Sequence, residues 1–276
     1  MKTRLKGFKA VMSAVVSSVI LINSTAAYAE GEADNSIYFS VPTEFSFEAT
    51  EEAEGEDIVL YEWLEEAVRE KNERYEQFKL SRASYPSSVN LNVAWEQQTN
   101  NYYCGPATAA VILKHIGYTY ATQEILAGDN YLSTDKFKST PWFSGMQSQS
   151  SQLKYYNMPY GLNQYQNVNH SAYVDRWPYE VCNSGNEEEY IDKIMFTLSE
   201  GYPVPLNGCT PLKNSISSDL NKYPEGHWVV LQGYNRNGDN FLVVDPAYGL
   251  KGFATTPTYT ASKSDILEFI QLGVVW

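Results

Sequence analysis

The sequence contains few of the residues from which metal sites and disulfide frameworks are built. It has three cysteines (Cys104, Cys182 and Cys209) and three histidines (His115, His170 and His227). No two cysteines have the close spacing of zinc ligands and the histidines are far apart, so we expect no metal and no cofactor. Cys182 and Cys209 could form a disulfide that leaves Cys104 free, or all three could stay thiols.

Positive charge is also scarce. The chain has 20 Lys and Arg against 33 Asp and Glu, a formal net charge of −13 and a pI near 4.7. Sixteen of the acidic residues lie between Glu30 and Glu76, where there are three basic ones. Nucleic acids and anionic lipid surfaces both require a basic face on their protein partner. The composition therefore argues against a nucleic-acid partner and against binding to an anionic membrane surface.

No apolar run after residue 22 is long enough to cross a membrane. The start of the chain combines basic residues at positions 2–9, an apolar run at 10–22 and small residues that end at Ala29. This pattern predicts a secretory signal peptide over residues 1–29, cleaved after Ala29. The run is shorter than the roughly 20 residues of a membrane span, so we expect no stable membrane insertion and a secreted mature protein. The sequence assigns no oligomeric state.

Residues 30–85 form an acidic segment in which we predict one helix. Residues 30–56 show no sustained hydrophobic period. From Asp57 onward, apolar residues recur at helical spacing: Leu60, Leu64, Val68, Tyr75 and Phe78. This periodicity predicts a helix that Asp57 can cap, followed by the linker "SRASYPSSVN". Two interpretations stay open, a solvated tether with a surface helix or a pro-segment that covers an active site until its removal.

Residues 86–276 have the pattern of an α+β domain. "VNLNVAW" predicts a short strand, the Ala- and Leu-rich stretch that ends at Gly117 predicts a helix, and residues 118–185 predict short helices with long loops. A second helix is predicted from Asn186 to Gly201, with a strand through Val204 and Leu206 after it. The C-terminal third reads as strands, in "HWVVLQGYN", "NFLVV" and "QLGVVW". Early helices and a late antiparallel sheet indicate the α+β class.

Cys104 lies in "NNYYCGPATAAVILKHIG", where a helix begins. If Gly105 and Pro106 open that helix, Cys104 is its N-cap, because a proline suits the first turn, where its missing N–H would have no partner. Unpaired N–H groups and the helix dipole favour an anion at that end, which are conditions for a reactive thiolate. The competing interpretation is a buried, inert cysteine.

A nucleophilic cysteine needs a base, and three histidines are candidates. His115 is eleven residues further along the same helix, which places it about 16 Å away from Cys104. His170 lies in the polar stretch "NQYQNVNHSAY" and is typical of a surface residue. His227 begins the apolar strand "HWVVLQGY", and a titratable residue at the mouth of a buried strand suits a general base.

Asp245 in "FLVVDPAYG" is the candidate partner that orients His227. A two-residue turn at Asn237 and Gly238 would point the two side chains to opposite faces of the hairpin. A three-residue loop over 236–238, or a bulge, would bring them to the same face within side-chain reach. The catalytic interpretation therefore requires an odd loop or a bulge, and otherwise Asp245 only caps the turn before Pro246.

Hydrolysis of an acyl group also requires donors for the developing oxyanion. The backbone N–H of Cys104 is one candidate. Gln98, six residues upstream in "WEQQTNNYYCGPA", can supply a side-chain amide if the loop between them folds back. Gln97 is the competing candidate for the same role.

Five features occur in a fixed order: Gln98 six residues before Cys104, then "YYCGPATAAVIL", "GYPVPL", "HWVVLQGY" and "VVDPAYG". Together they resemble the papain-like cysteine peptidases of the bacteriocin-leader-processing kind, or double-glycine peptidases, and in particular their free-standing exported relatives. The resemblance covers about residues 88–276. It implies a papain-like fold, with Cys104 as nucleophile, His227 as general base and acid, Asp245 as orienting residue and Gln98 in the oxyanion hole.

The resulting hypothesis is a secreted cysteine peptidase that acts on a peptide or protein substrate through a thioester. One alternative applies the same chemistry to another amide, as an amidase or acyltransferase on cell-wall peptides. A second alternative is a non-catalytic surface-binding module, which the 22 tyrosines would suit because their rings contact other surfaces well.

Overall fold

The computed structural model describes residues 62–81, 86–140, 157–208, 226–250, 256–270 and 273–276. The predicted signal peptide, the acidic stretch before residue 62 and Cys209 lie outside these ranges. The described helices are α1 (Glu62–Leu80), α2 (Cys104–His115), α3 (Gln123–Ala127), α4 (Thr134–Phe137), α5 (Asn157–Val168), α6 (Glu187–Ser199) and α7 (Lys263–Phe269). The described strands are β1 (Val89–Asn90), β2 (Val181–Cys182), β3 (Val204–Gly208), β4 (His227–Asn235), β5 (Asn240–Val244), β6 (Thr258–Ser262) and β7 (Val274–Val275).

An antiparallel sheet of five strands is built around β4. On one side β4 pairs with β5, which in turn pairs with β6. On its other side β4 pairs with β3 along its first half and with β1 near its end. Strands β2 and β7 form a separate antiparallel pair. With helix α2 packed on this sheet, the predicted α+β class is confirmed.

The two long helices predicted for this domain are confirmed. In α2, nine residues from Gly105 to Leu113 are buried, and their small alanines let the helix lie close to β4. Helix α6 begins after Asn186, whose side chain accepts hydrogen bonds from two N–H groups of the first turn. It ends just before Gly201, which adopts φ +95°.

The C-terminal end contains elements that the sequence patterns did not indicate. Strand β6 and helix α7 lie between β5 and the final residues, and Ser262 caps α7 through a capping box with Asp265. Within the predicted strand "QLGVVW", Val274 and Val275 form β7, which pairs with β2.

Helix α1 packs into the same core as the sheet. Tyr75 contacts Phe196 and Trp276 edge-on, with ring centroids 5.5 and 5.0 Å apart, and Phe78 is fully buried. The helix therefore belongs to the compact unit that continues to residue 276. The boundary expected at residue 85 stays a prediction, because residues 82–85 lie outside the described ranges.

Lys71 fastens α1 to the rest of the domain. Its fully buried ammonium forms an ion pair with Glu180 at 2.7 Å and donates to the carbonyl oxygens of Pro178 (2.7 Å) and Trp276 (3.2 Å). Burial lowers the pKa of Lys71 to about 8, although Glu180 opposes the shift. The pKa in the unfolded chain is higher, so the cost of burying the charge is present at neutral pH and is relieved above about pH 8.

We expect Lys71→Ala to lower the free energy of unfolding by about 2–3 kcal/mol, measured by urea denaturation at pH 7. The substitution removes the donor to the Pro178 carbonyl, removes one of two donors to Trp276, and unpairs Glu180. The matched control is Arg69→Ala on the exposed face of α1, which removes ion pairs to Glu66 and Glu73 and should cost much less, because solvent screens both pairs. Equal losses in the two variants would contradict this role of Lys71.

Candidate active site

Cys104 is the first residue of α2, and Tyr103 is its N-cap. The helix thus begins one residue earlier than we predicted, because Cys104 itself was the expected cap. The proline at position 106 is still in the first turn, where N–H groups have no partner within the helix. Tyr103 is buried and donates to Asp135 of α4 at 2.7 Å, while Cys104 is half-buried. Cys104 therefore lies at a helix start that Asp135 holds through Tyr103.

Gly105 permits a close contact directly behind the thiol. A Cβ at this position would lie 2.1 Å from Oγ1 of Thr140, so the Thr140 side chain occupies that space. The carbonyl oxygen of Thr140 accepts a hydrogen bond from Trp228 Nε1 at 2.9 Å. Thr140 thus joins the start of α2 to the beginning of β4, next to His227.

A bulge in β4 places His227 and Asp245 on the same face of the hairpin. Near the turn, Asn235 pairs with Asn240, and residues 236–239 connect them. If this register continued along the hairpin, the side chains of His227 and Asp245 would point to opposite faces. The register shifts by one residue between Leu231 and Gly233. Of the two alternatives that the sequence left open, an odd loop or a bulge, the bulge is the one that supplies the required shift.

His227 lies between the other two candidate side chains. Its Nε2 donates to Asp245 Oδ1 at 2.8 Å, and the Cys104 thiol lies close enough to the ring to help raise the pKa of His227. Because Nε2 is engaged by Asp245, Nδ1 is the ring nitrogen that can face the sulfur. Burial disfavours the charged ring, but the charge and hydrogen bond of Asp245, with a smaller contribution from Cys104, raise the pKa of His227 to about 10. The ring is thus an imidazolium at neutral pH.

Asp245 is held in place by several donors besides His227. Its Oδ1 accepts from the N–H of Ala247 at 2.9 Å, and its Oδ2 accepts from the hydroxyl of Tyr259 at 3.3 Å. Its backbone carbonyl accepts from Trp95 Nε1 at 2.9 Å. Tyr259 is a residue that the sequence analysis missed, because its strand β6 was not predicted.

The two glutamines that are candidates for the oxyanion donor differ in burial. Gln98 is buried and Gln97 is exposed. Gln98 Nε2 donates to the carbonyl oxygen of Asn100 at 2.7 Å, which fixes the orientation of the amide because an oxygen there would face another oxygen. Within the described part of the chain, Gln98 Oε1 is buried without a hydrogen-bond partner. The backbone N–H of Gln98 donates to Pro246, the residue after Asp245, at 2.8 Å.

The other two histidines do not join this cluster. His115 is the last residue of α2, where burial lowers its pKa although the nearby backbone of Gly201 opposes the shift. His170 is exposed after α5. Both lie where the sequence analysis expected them.

Among the described residues, no three His, Cys, Asp or Glu side chains come together as metal ligands. Cys182 is buried and has a free thiol, so the disulfide alternative does not apply to it in this structure. No helix in the described ranges has both the length and the apolar character that crossing a bilayer requires.

A thiol at a helix start, facing an imidazolium that a carboxylate orients, is an arrangement suited to nucleophilic catalysis by cysteine. Residues 90–264 match the Peptidase_C39 like family, and this match spans more than half of the chain. The chain therefore belongs to the Peptidase_C39 like family and is a cysteine-type peptidase. No curated protein matches the sequence.

Several solved structures of cysteine proteases are similar to this chain at low sequence identity. Xylellain from Xylella fastidiosa is 12% identical with a TM-score of 0.39, over 70% of this chain and 86% of xylellain. Procathepsin L 3 of the Tenebrio molitor larval midgut is 11% identical with a TM-score of 0.36, over 77% and 89%. A prointerpain A fragment of Prevotella intermedia is 13% identical with a TM-score of 0.27, over 78% and 79%.

Proposed function

We propose that the protein is an exported cysteine peptidase that cleaves peptide bonds through a thioester on Cys104. In this proposal His227 is the general base and acid, and Asp245 orients it. The observation that supports this most strongly is the position of the His227 ring, which donates to Asp245 through Nε2 at 2.8 Å and lies near enough to the Cys104 thiol for its pKa to be affected. This juxtaposition comes from three distant parts of the chain, α2, β4 and the end of β5.

The chemistry requires two steps. In the first, the Cys104 thiolate attacks the substrate carbonyl, and the His227 imidazolium gives its proton to the leaving amine as the C–N bond breaks. In the second, the neutral imidazole takes a proton from water, and the resulting hydroxide attacks the thioester. The carboxylic acid product leaves and the thiolate–imidazolium pair forms again.

The oxyanion of each tetrahedral intermediate would be stabilised by two donors. The Cys104 N–H belongs to the first turn of α2, where N–H groups point away from the helix. The Gln98 amide nitrogen has two N–H groups, and one donates to Asn100, so the other can bind the oxyanion. Burial of Gln98 strengthens such a hydrogen bond, since competing water is excluded.

We expect Gln98→Ala to lower kcat by about 10²-fold with little change in KM, because an oxyanion donor acts mainly in the transition state. Gln97→Ala is the matched control, since its side chain is exposed and adjacent in sequence. Steady-state hydrolysis of a fluorogenic peptide measures both. A larger loss of kcat in Gln97→Ala than in Gln98→Ala would show that Gln97, and not Gln98, is the oxyanion donor.

The family implies a peptide or protein substrate, and the bond that is cleaved needs a direct assay. Casein and purified peptidoglycan peptides, incubated side by side with the protein, distinguish a general peptidase from an enzyme that acts on cell-wall peptides.

Export is tested by sequencing the N-terminus of protein collected from the culture medium. We expect it to begin at Glu30, and recovery of the uncleaved chain in the cell fraction alone would contradict export.

A further inference from the structure

The segment that carries Gln98 has no regular structure of its own. Strand β1 ends at Asn90 and α2 begins at Cys104, and residues 91–103 between them form neither helix nor strand. The position of the Gln98 side chain therefore depends on contacts made to this segment by other parts of the chain. Catalytic donors must be held within about 0.5 Å of their working position, so these contacts bear on activity.

Gln123, the first residue of α3, binds the backbone on both sides of Gln98. Its side-chain Nε2 donates to the carbonyl oxygen of Gln97 at 2.7 Å, and its Oε1 accepts from the N–H of Thr99 at 2.9 Å. Gln123 is almost fully buried. A single side-chain amide thus binds the backbone on both sides of Gln98, the residue that we propose as oxyanion donor.

The remaining hydrogen-bonding capacity of the Gln123 amide is also used. Nε2 donates a second time, to Glu96 Oε1 at 2.9 Å, and Oε1 accepts from the hydroxyl of Thr99 at 3.4 Å. Two acceptors thus face the nitrogen and two donors face the oxygen, which fixes the orientation of the amide. The other oxygen of Glu96 binds Lys114 of α2. The hydrogen bonds of Gln123 are therefore connected, through Glu96, to the helix that carries Cys104.

A third backbone contact ties the same segment to the strand of the orienting carboxylate. The N–H of Gln98 donates to the carbonyl oxygen of Pro246 at 2.8 Å, one residue after Asp245. Three consecutive residues, 97–99, are thus fixed through backbone groups, two of them by Gln123. The contacts reach both the nucleophile helix and the end of β5.

We propose that Gln123 is a positioning residue, which holds Gln98 where its amide can stabilise the oxyanion. The inference rests on the proposed function of Gln98. It assigns Gln123 no contact with substrate, so its loss should act through Gln98. We expect Gln123→Ala to lower kcat by about 10-fold or more with little change in KM, because a displaced donor serves the transition state poorly.

A double-mutant cycle of Gln123→Ala and Gln98→Ala tests this assignment. The kcat and KM of the four proteins are measured on a fluorogenic peptide built around the casein bond that the unmodified protein cleaves fastest. The rate of iodoacetamide labelling at Cys104 is measured in parallel, because α2 packs directly on β4 and this packing should keep Cys104 beside His227 when the Gln123 side chain is lost. Gln123→Met, of similar volume, repeats the cycle without opening a cavity.

A positioning role predicts that Gln123→Ala costs less than about 2-fold in kcat when Gln98 is already alanine, and that labelling of Cys104 is unchanged. The same loss of kcat in both backgrounds, or a parallel loss of labelling, would show a general structural effect and overturn the inference. Failure of both Gln123 variants to fold would do the same. If Gln98→Ala alone leaves kcat unchanged while Cys104→Ala is inactive, the oxyanion role of Gln98 is wrong and the inference falls with it, although the nucleophile assignment stands.

Discussion

Replacing Cys104 by alanine is expected to abolish hydrolysis of casein-derived peptides and of any other substrate that the protein cleaves. Alanine has no nucleophile, and residual binding and oxyanion contacts cannot form the thioester. We expect activity to fall by at least about 10⁴-fold, to the background of the assay. The fold should be unchanged, because Cys104 is half-buried and the rest of α2 packs through other residues.

Cys182→Ala is the matched control for this experiment. Cys182 has a free thiol too, but it lies in β2 and hydrogen-bonds Ser184 through its sulfur at 3.6 Å. We expect Cys182→Ala to retain activity and to be labelled by iodoacetamide at Cys104, as located by mass spectrometry of the tryptic peptides. Cleavage of peptides by Cys104→Ala at more than a few per cent of the unmodified rate would contradict the mechanism.

Asp245→Asn is expected to lower kcat/KM at pH 7 by roughly 10³-fold, within the range that general acid–base groups contribute. The negative charge of Asp245 is the main factor that keeps the buried His227 ring protonated. An amide keeps the shape but not the charge, so desolvation should then lower the pKa of the ring and leave it neutral. A neutral imidazole cannot give the first proton to the leaving amine.

The pH dependence distinguishes this loss of charge from a loss of geometry. In the unmodified protein the pKa of His227 is raised to about 10, so activity should persist in alkaline solution and decline as the pH approaches that value. In Asp245→Asn we expect the decline at lower pH. The raised pKa also means that the folded state binds this proton more tightly than the unfolded chain. Its contribution to stability is complete below about pH 6.5 and is lost as the pH rises through about 10.

Tyr259→Phe is the control for the Asp245 experiment. It removes a hydroxyl that donates to Asp245 Oδ2 but leaves the carboxylate charge in place. We therefore expect a loss of activity well below that of Asp245→Asn and an alkaline decline at nearly the same pH. An unshifted decline in Asp245→Asn would show that the charge of Asp245 does not control His227.

The candidate site could be anticipated from the sequence because its residues lie at recognisable ends of elements. Cys104 precedes an Ala-rich stretch with a glycine and a proline, and His227 begins an apolar strand. The relation between His227 and Asp245 could not be settled, because it depends on a bulge at Gln232 inside β4. That strand reads as continuous, and its Gly233 signals the irregularity only weakly. A Cβ there would lie 2.1 Å from the carbonyl oxygen of Val89, so the glycine serves the approach of β1.

Contacts between residues distant in sequence were beyond prediction. A lysine on a helix rich in glutamate is expected to be solvated, yet Lys71 is buried, because its partners at Glu180 and Trp276 are brought to it by the fold. The role of Gln123 could not be predicted for the same reason, because the carbonyl group of Gln97 that it binds is 26 residues away in sequence. Strand β6 was missed because its alternation of Tyr259 and Ala261 with hydroxyl residues is only five residues long and contains no strongly hydrophobic aliphatic side chain.

The protonation state of His227 tests the central claim most directly, and ¹⁵N NMR of histidine-labelled protein reports it. The chain has only three histidines, so single substitutions of His115 and His170 assign the signals. We predict that the His227 ring carries both protons at pH 7, loses one near pH 10, and titrates at lower pH in Asp245→Asn. A ring that is neutral at pH 7 in the unmodified protein, with a titration that Asp245→Asn does not move, would contradict the account.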